Sequence, residues 1–125
     1  MTENQISKIL VELFLKIHRK LGPGLLESVY EEVLCYELRK LNLMYIRQKG
    51  IKVVYEDVVM DIGFRSDIIV ENKVIVEIKS VEKVTPVFSK ILLTYLRLTR
   101  IKLGMLVNFN VPLIKDGITR IVNNL

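Results

Sequence analysis

One cysteine, one histidine and no long apolar run set the first limits on this chain of 125 residues. Cys35 by itself excludes an internal disulfide and a cysteine zinc cluster, which agrees with a reducing compartment. It reads as a small apolar residue buried on a helix. His18 falls near the end of the first helical pattern, where a cation suits the helix dipole, and is given a structural reading. No apolar stretch approaches the roughly 20 residues needed to cross a bilayer, so no membrane partner is expected. Met1 to Gln5 is polar and leads into a helical pattern without a charged segment and apolar h-region, so a soluble, cytoplasmic protein is expected. There is no glycine-rich phosphate loop, no nucleophile elbow and no aromatic motif of an RNA-binding sheet, and those classes are set aside. Acids are outnumbered, 14 to 19, which leaves a net charge of +5 and a pI near 9.4. That excess favours phosphate-rich partners through counterion release. Repeats, low-complexity tracts and linkers are also missing. With 50% hydrophobic residues, the expectation is one compact domain over 1–125.

What is present is a chain whose apolar period changes along its length. Ile6, Ile9, Leu10, Leu13, Phe14, Ile17 and Leu21 recur three and four apart, one stripe of an amphipathic helix. Gly22-Pro23-Gly24 breaks it. A second helical pattern carries Leu26, Val29, Tyr30, Val33, Leu34, Leu38 and Leu41, and Asn42 marks its stop. From Met44 to Lys79 the texture becomes β-branched and alternating, with turn residues at Glu56-Asp57 and Glu71-Asn72-Lys73. Three antiparallel strands are expected there, with Gly50 where an irregularity of the first would fall. Pro86 opens a further helix, to about Arg100. Leu103 to Phe109 reads as a buried strand and Gly117 to Val122 as a short last one. The expected order is α-α-β-β-β-α-β-β.

Within that order the stretch 66–80, SDIIVENKVIVEIKS, carries charges where apolar residues would pack better. If Asp67 starts one strand and Glu77 to Lys79 ends the next, the turn at Glu71-Asn72-Lys73 makes Asp67 and Glu77 close neighbours. The strand period of two puts Glu77 and Lys79 on one face and sends Ile78 into the core. Two nearby carboxylates repel in a partly desolvated site unless a cation lies between them, and such oxygen ligands suit Mg²⁺ or Mn²⁺. A lysine beside them stabilises a hydrolytic water and a developing phosphate charge. The plainer alternative is a surface salt-bridge ladder in which Lys79 pairs with Glu77 or a cross-strand acid.

The stretch LGPGLLESVYEEVL, residues 21–34, decides between them. Gly24, Glu27 and Tyr30 reproduce the GxxExxY signature, and the chain resembles the small prokaryotic family named for it, a branch of the PD-(D/E)xK, restriction-endonuclease-like nuclease superfamily. The similarity runs from about His18 to Val122. It takes in Gln48-Lys49, Asp67, Glu77-Ile78-Lys79, Thr94-Tyr95-Leu96 and the strand Leu103 to Phe109. It implies an α/β fold with an αβββαβ core, a mixed central sheet flanked by helices, and an extra N-terminal helix. It also implies a Mg²⁺- or Mn²⁺-dependent hydrolase acting on phosphodiester bonds of nucleic acid, most readily DNA, by attack of a metal-bound water. Carried onto this sequence, the resemblance implies that Asp67, Glu77 and the Ile78 carbonyl hold the metal. Lys79 then positions the attacking water, and Glu27 reaches the metal directly or through water. Glu27 also suits a first helical turn for dipole reasons alone. Tyr30 fits either a hydrogen bond near the site or an amphipathic core.

Two positions depart from the wider pattern. Where related branches place Gln-x-x-x-Tyr on the helix after Glu-x-Lys, Tyr95 is present but Ile91 replaces the glutamine, and Ser66 replaces a proline before Asp67. Neither removes an expected ligand. Lys83, Lys90, Arg97, Arg100 and Lys102 read either as a basic rim suited to phosphate or as a solvated face. The apolar Val84 to Val87 segment and the crossover helix would suit a homodimer. The alternative function is an inactive nucleic-acid- or protein-binding module on the same fold.

Overall fold

The computed structural model describes residues 1–125. Helix α1 spans Glu3–Leu21 and starts at a capping box, Thr2 accepting from the Gln5 N–H while the Gln5 side chain accepts from the Thr2 N–H. It stops where the Gly22 N–H turns back to the His18 carbonyl. Helix α2 spans Glu27–Lys40. A long hairpin follows, β1 (Tyr45–Tyr55) and β2 (Val58–Val70), and β2 turns back through Glu71 to Lys73 into β3 (Val74–Lys79). Helix α3 (Pro86–Thr99) carries the chain to β4 (Leu103–Asn108), and a short 3₁₀ turn (Ile114–Gly117) leads into β5 (Ile118–Val122).

The sheet runs β1-β2-β3-β4-β5 in space. β3 and β4 are parallel and every other neighbouring pair is antiparallel. Parallel neighbours need a crossover, which α3 supplies. The sheet is therefore mixed, with helices on both faces, as the restriction-endonuclease-like expectation required.

Alternation within the strands divides the apolar residues between the faces. Ile68, Val70, Val74, Val76 and Ile78 pack with α1 and α2 around Phe14, Tyr30 and Leu34. Ile69, Ile75 and Leu106 pack with Leu92 and Leu96 of α3. The same parity sets Asp67, Glu77 and Lys79 on the α3 side.

Three local readings need correction. Asp67 does not start a strand: β2 is continuous for 13 residues, from Val58 to Val70. The polar Arg65-Ser66 interruption is carried through because β1 pairs along it, Lys49 with Ser66 and Gly50 with Arg65. The irregularity expected at Gly50 falls between Ile51 and Val53, opposite Gly63. A Cβ on Gly63 would stand 2.1 Å from Val53 Cγ2, so only glycine lets the strands approach there. The last strand begins at Ile118, because Gly117 closes the 3₁₀ turn.

Candidate active site

The ladder between β2 and β3 pairs Val70 with Val74, Ile69 with Ile75 and Ile68 with Val76, and then stops. Side chains take over where it ends. The Ile78 N–H donates to Asp67 Oδ2 at 2.8 Å, and the Asp67 N–H reaches Glu77 Oε1 at 3.4 Å. Asp67 and Glu77 are thus the neighbours that the hairpin geometry predicted. Ile78 meets Asp67 through its N–H, and its side chain is in the larger core.

The pair is electrostatically loaded. Glu77 is only 7% exposed. Burial pushes its carboxyl up to about 9, and the neighbouring Asp67 charge pushes in the same direction, while Lys79 opposes both. Two oxygen donors held side by side in this way fit a hard divalent cation, which would offset both the burial cost of the Glu77 charge and its repulsion from Asp67.

Lys79 is half-buried on the same face, with Nζ 4.8 Å from the Phe88 ring centre on the first turn of α3. It makes no ion pair. The ion pairs of this chain join Lys16 and Lys40 to Glu37, and Arg47 to Glu31 and Glu32, so the salt-bridge ladder does not form. The backbone around Lys79 is anchored on both sides. Its carbonyl accepts from the Phe109 N–H at 3.0 Å, and buried Asn108 bonds both the N–H and the carbonyl of Val81.

The signature residues fix a loop against that anchor. Gly24 holds φ 97°, a conformation that a side chain disfavours. The Tyr30 hydroxyl donates to the Gly22 carbonyl at 2.6 Å and accepts from the Leu25 N–H at 3.2 Å. Its ring is buried, stacked on Phe109 with centroids 4.3 Å apart. Both sequence readings of Tyr30 are therefore partly met: it is a core residue whose polar end orders the loop. Glu27, first residue of α2, accepts from the Ser80 N–H at 3.2 Å, and Ser80 Oγ donates to the Leu25 carbonyl at 2.6 Å. A cavity of about 530 Å³ opens here, bordered by Glu27, Ser28, Ser80 and Asn110. Glu27, Asp67 and Glu77 do not gather into one group able to hold an ion together.

Three residues around Asp67 and Lys79 were given no role in the sequence reading of the site, although Gln48 fell within the similarity. Glu31, one turn beyond Glu27, is buried and accepts from Arg47 Nη2 at 2.9 Å and Gln48 Nε2 at 2.8 Å. Gln48 Nε2 also lies 3.3 Å from Asp67 Oδ1, so Gln48 bridges the two acids, and it does so with φ 50° in the middle of β1. The i, i+4 spacing of Glu27 and Glu31 on one helix was the available signal. Phe88 carried none. Tyr95 stacks on Phe64, centroids 3.8 Å apart, and its hydroxyl is pushed up by burial and then by the Glu77 and Asp67 charges. Ile91, at the position of the absent glutamine, is 38% exposed and brings no polar contact. Ser66, beside Asp67, is fully buried and its Oγ has no hydrogen-bond partner.

Comparison with known proteins gives one match: a family model described as the PD-(D/E)XK nuclease superfamily covers residues 4–121. No curated protein and no solved structure matches significantly. No helix is long and apolar enough to cross a membrane.

Proposed function

The chain belongs to the PD-(D/E)XK nuclease superfamily, whose members generally use divalent metals on nucleic acid, and on that premise we propose a metal-dependent nuclease that hydrolyses phosphodiester bonds in DNA. Within the superfamily we assign it to the GxxExxY branch, with residues 1–125 acting as one domain. The observation that carries the reading is the Asp67–Glu77 pair, set where the β2–β3 ladder opens, with burial and then the Asp67 charge pushing the Glu77 carboxyl up to about 9.

Asp67 and Glu77 would hold Mg²⁺ or Mn²⁺, with the Ile78 carbonyl as a further oxygen donor. A divalent cation supplies Lewis-acid stabilisation of the phosphodiester charge and lowers the pKa of water at the site. The Ile78 N–H and Gln48 fix the Asp67 carboxylate, so little reorganisation is needed when substrate binds. Lys79, carried on the Phe88 ring, orients water for in-line attack and offsets charge growing on the phosphoryl oxygens. Glu27 and Ser80 border the cavity beside this position, where the substrate backbone would pass, and Glu27 would reach the metal through water.

Cleavage of labelled plasmid and single-stranded DNA with Mg²⁺ or Mn²⁺ tests the proposal. The natural protein should cut, and Asp67→Ala and Lys79→Ala should each abolish cutting. Activity that survives both substitutions places the chemistry elsewhere. No cutting, together with no heat on titration with Mg²⁺ or Mn²⁺, moves the assignment to a binding module on the same fold.

A further inference from the structure

Three cations converge at the far end of α3. Arg97 in its last turn, Arg100 just after it with φ 60°, and Lys102 before β4 frame a cleft of about 490 Å³ completed by Asn123 and Asn124. No apolar side chain lines it. All three cations are exposed, and none takes part in an ion pair. Asn123 keeps the wall in place: its N–H donates to the Lys102 carbonyl at 2.8 Å, and Nδ2 donates to the Leu96 and Ile101 carbonyls at 3.4 and 3.3 Å. Like charges facing one solvent-filled cleft repel one another, and an anion with several oxygens reverses the sign of that term.

The position of the cleft tells which anion it suits. α3 begins a few residues after Lys79 and ends at the cleft, and its 14 residues span about 21 Å at 1.5 Å each. The paired strands agree: Lys79 and Asn108 pair at one end of β3 and β4, Val74 and Leu103 at the other, next to Lys102. Lys90 and Arg97, seven residues and therefore about two turns apart, lie on one side of α3 between the two ends. Both are exposed. The carboxylate pair and the cleft thus occupy opposite ends of the same layer, joined by a basic row.

We propose that the cleft of Arg97, Arg100 and Lys102 is a second phosphate site, which grips the backbone of duplex DNA about six base pairs along its axis from the bond presented to Asp67 and Glu77. The spacing follows from about 21 Å of helix and about 3.4 Å of duplex axis per base pair. The proposal rests on the nuclease reading, extends it to substrate length, and predicts that short substrates lose this contact.

The test uses the full chain, an Arg97→Gln/Lys102→Gln double variant, and Arg100→Gly, whose glycine accepts the φ already adopted there. Metal-free binding of a labelled duplex of about 20 base pairs is measured against salt. The double variant is expected to bind roughly tenfold more weakly at low salt, with a salt slope shallower by about 2, and Arg100→Gly by about 1, without a lower melting temperature. In cleavage, the advantage of the long duplex over a hairpin with a stem of about four base pairs should vanish while the rate on the hairpin is unchanged. Unchanged affinity and slope in both variants, or equal losses on short and long duplexes, overturn the proposal. A natural protein that cuts DNA with those slopes unchanged overturns the cleft and leaves the nuclease reading standing. Binding lost in the variants of a protein that neither cuts DNA nor gives heat with Mg²⁺ or Mn²⁺ supports the cleft and overturns the nuclease reading. Failure of the natural protein to bind the duplex at all overturns the cleft, and cleavage of plasmid and single-stranded DNA then decides the nuclease reading separately.

Discussion

Replacing Glu77 by glutamine should stabilise the metal-free protein while removing its response to metal. In the native state burial and Asp67 push this carboxyl from 4.5 to about 9. The unfolded chain releases the proton near the lower value, and the native state keeps it until the higher one. Across that window the native state binds more protons than the unfolded state, so stability falls as pH rises from about 4.5 to about 9 and levels off above. Each unit is worth about 1.36 kcal/mol, so near pH 7.5 the three units already crossed give a ceiling of about 4 kcal/mol. Local relaxation and water penetration bring the expected value to about 2 kcal/mol. Glutamine keeps the shape, lets its Oε1 accept from the Asp67 N–H, and offers its amide to the Asp67 carboxylate without a titrating proton. Glu77→Gln should therefore melt about 6–8 °C above the natural protein near pH 7.5 without metal, and the gap should close toward pH 5. Mg²⁺ or Mn²⁺ should raise the natural melting temperature and leave the variant unmoved. Thermal melts across this pH range, with chelator and then with metal, read all of this. Parallel pH curves, or equal stabilisation of both proteins by metal, would refute the reasoning.

Other consequences are open to measurement. Ser66→Ala removes a buried hydroxyl that has no partner and should raise the free energy of unfolding by about 1 kcal/mol in urea titration. Tyr30→Phe, which loses the bonds to Gly22 and Leu25, should cost about 1–2 kcal/mol in the same titration, with protease sensitivity rising around Gly22 to Leu26. Gln48→Leu should leave the melting temperature within a few degrees, a span of about 1 kcal/mol, yet lower cleavage roughly tenfold, because Asp67 loses its bridge to Glu31. Phe88→Leu should slow cleavage about threefold at saturating DNA by loosening Lys79.

Legibility in the sequence followed the range of the interactions. The order of elements came from local periods of 3.6 and 2, and those periods marked most of the buried stripe of each helix, although Leu26, Val29 and Leu41, read as part of the α2 stripe, are exposed where that helix begins and ends. Asp67 and Glu77 were predicted to meet because a short turn and strand alternation fix both their distance and their face, and these are local properties. The signature residues Gly24, Glu27 and Tyr30 were visible as a pattern, while their use was not. Tyr30 acts through a stack on Phe109, and Glu27 through Ser80, 53 residues away in the chain.

By itself, then, the sequence determined the α-α-β-β-β-α-β-β order, the face shared by Asp67, Glu77 and Lys79, and the basic residues strung along α3. Only the tertiary structure decided that Gln48 bridges Glu31 to Asp67, that Phe88 rather than an acid receives Lys79, and that Arg97, Arg100 and Lys102 enclose one cleft. Periodicity fixes which side a residue takes on its own element. Which residue it meets on another element depends on how helices and sheet pack, and no local spacing carries that information.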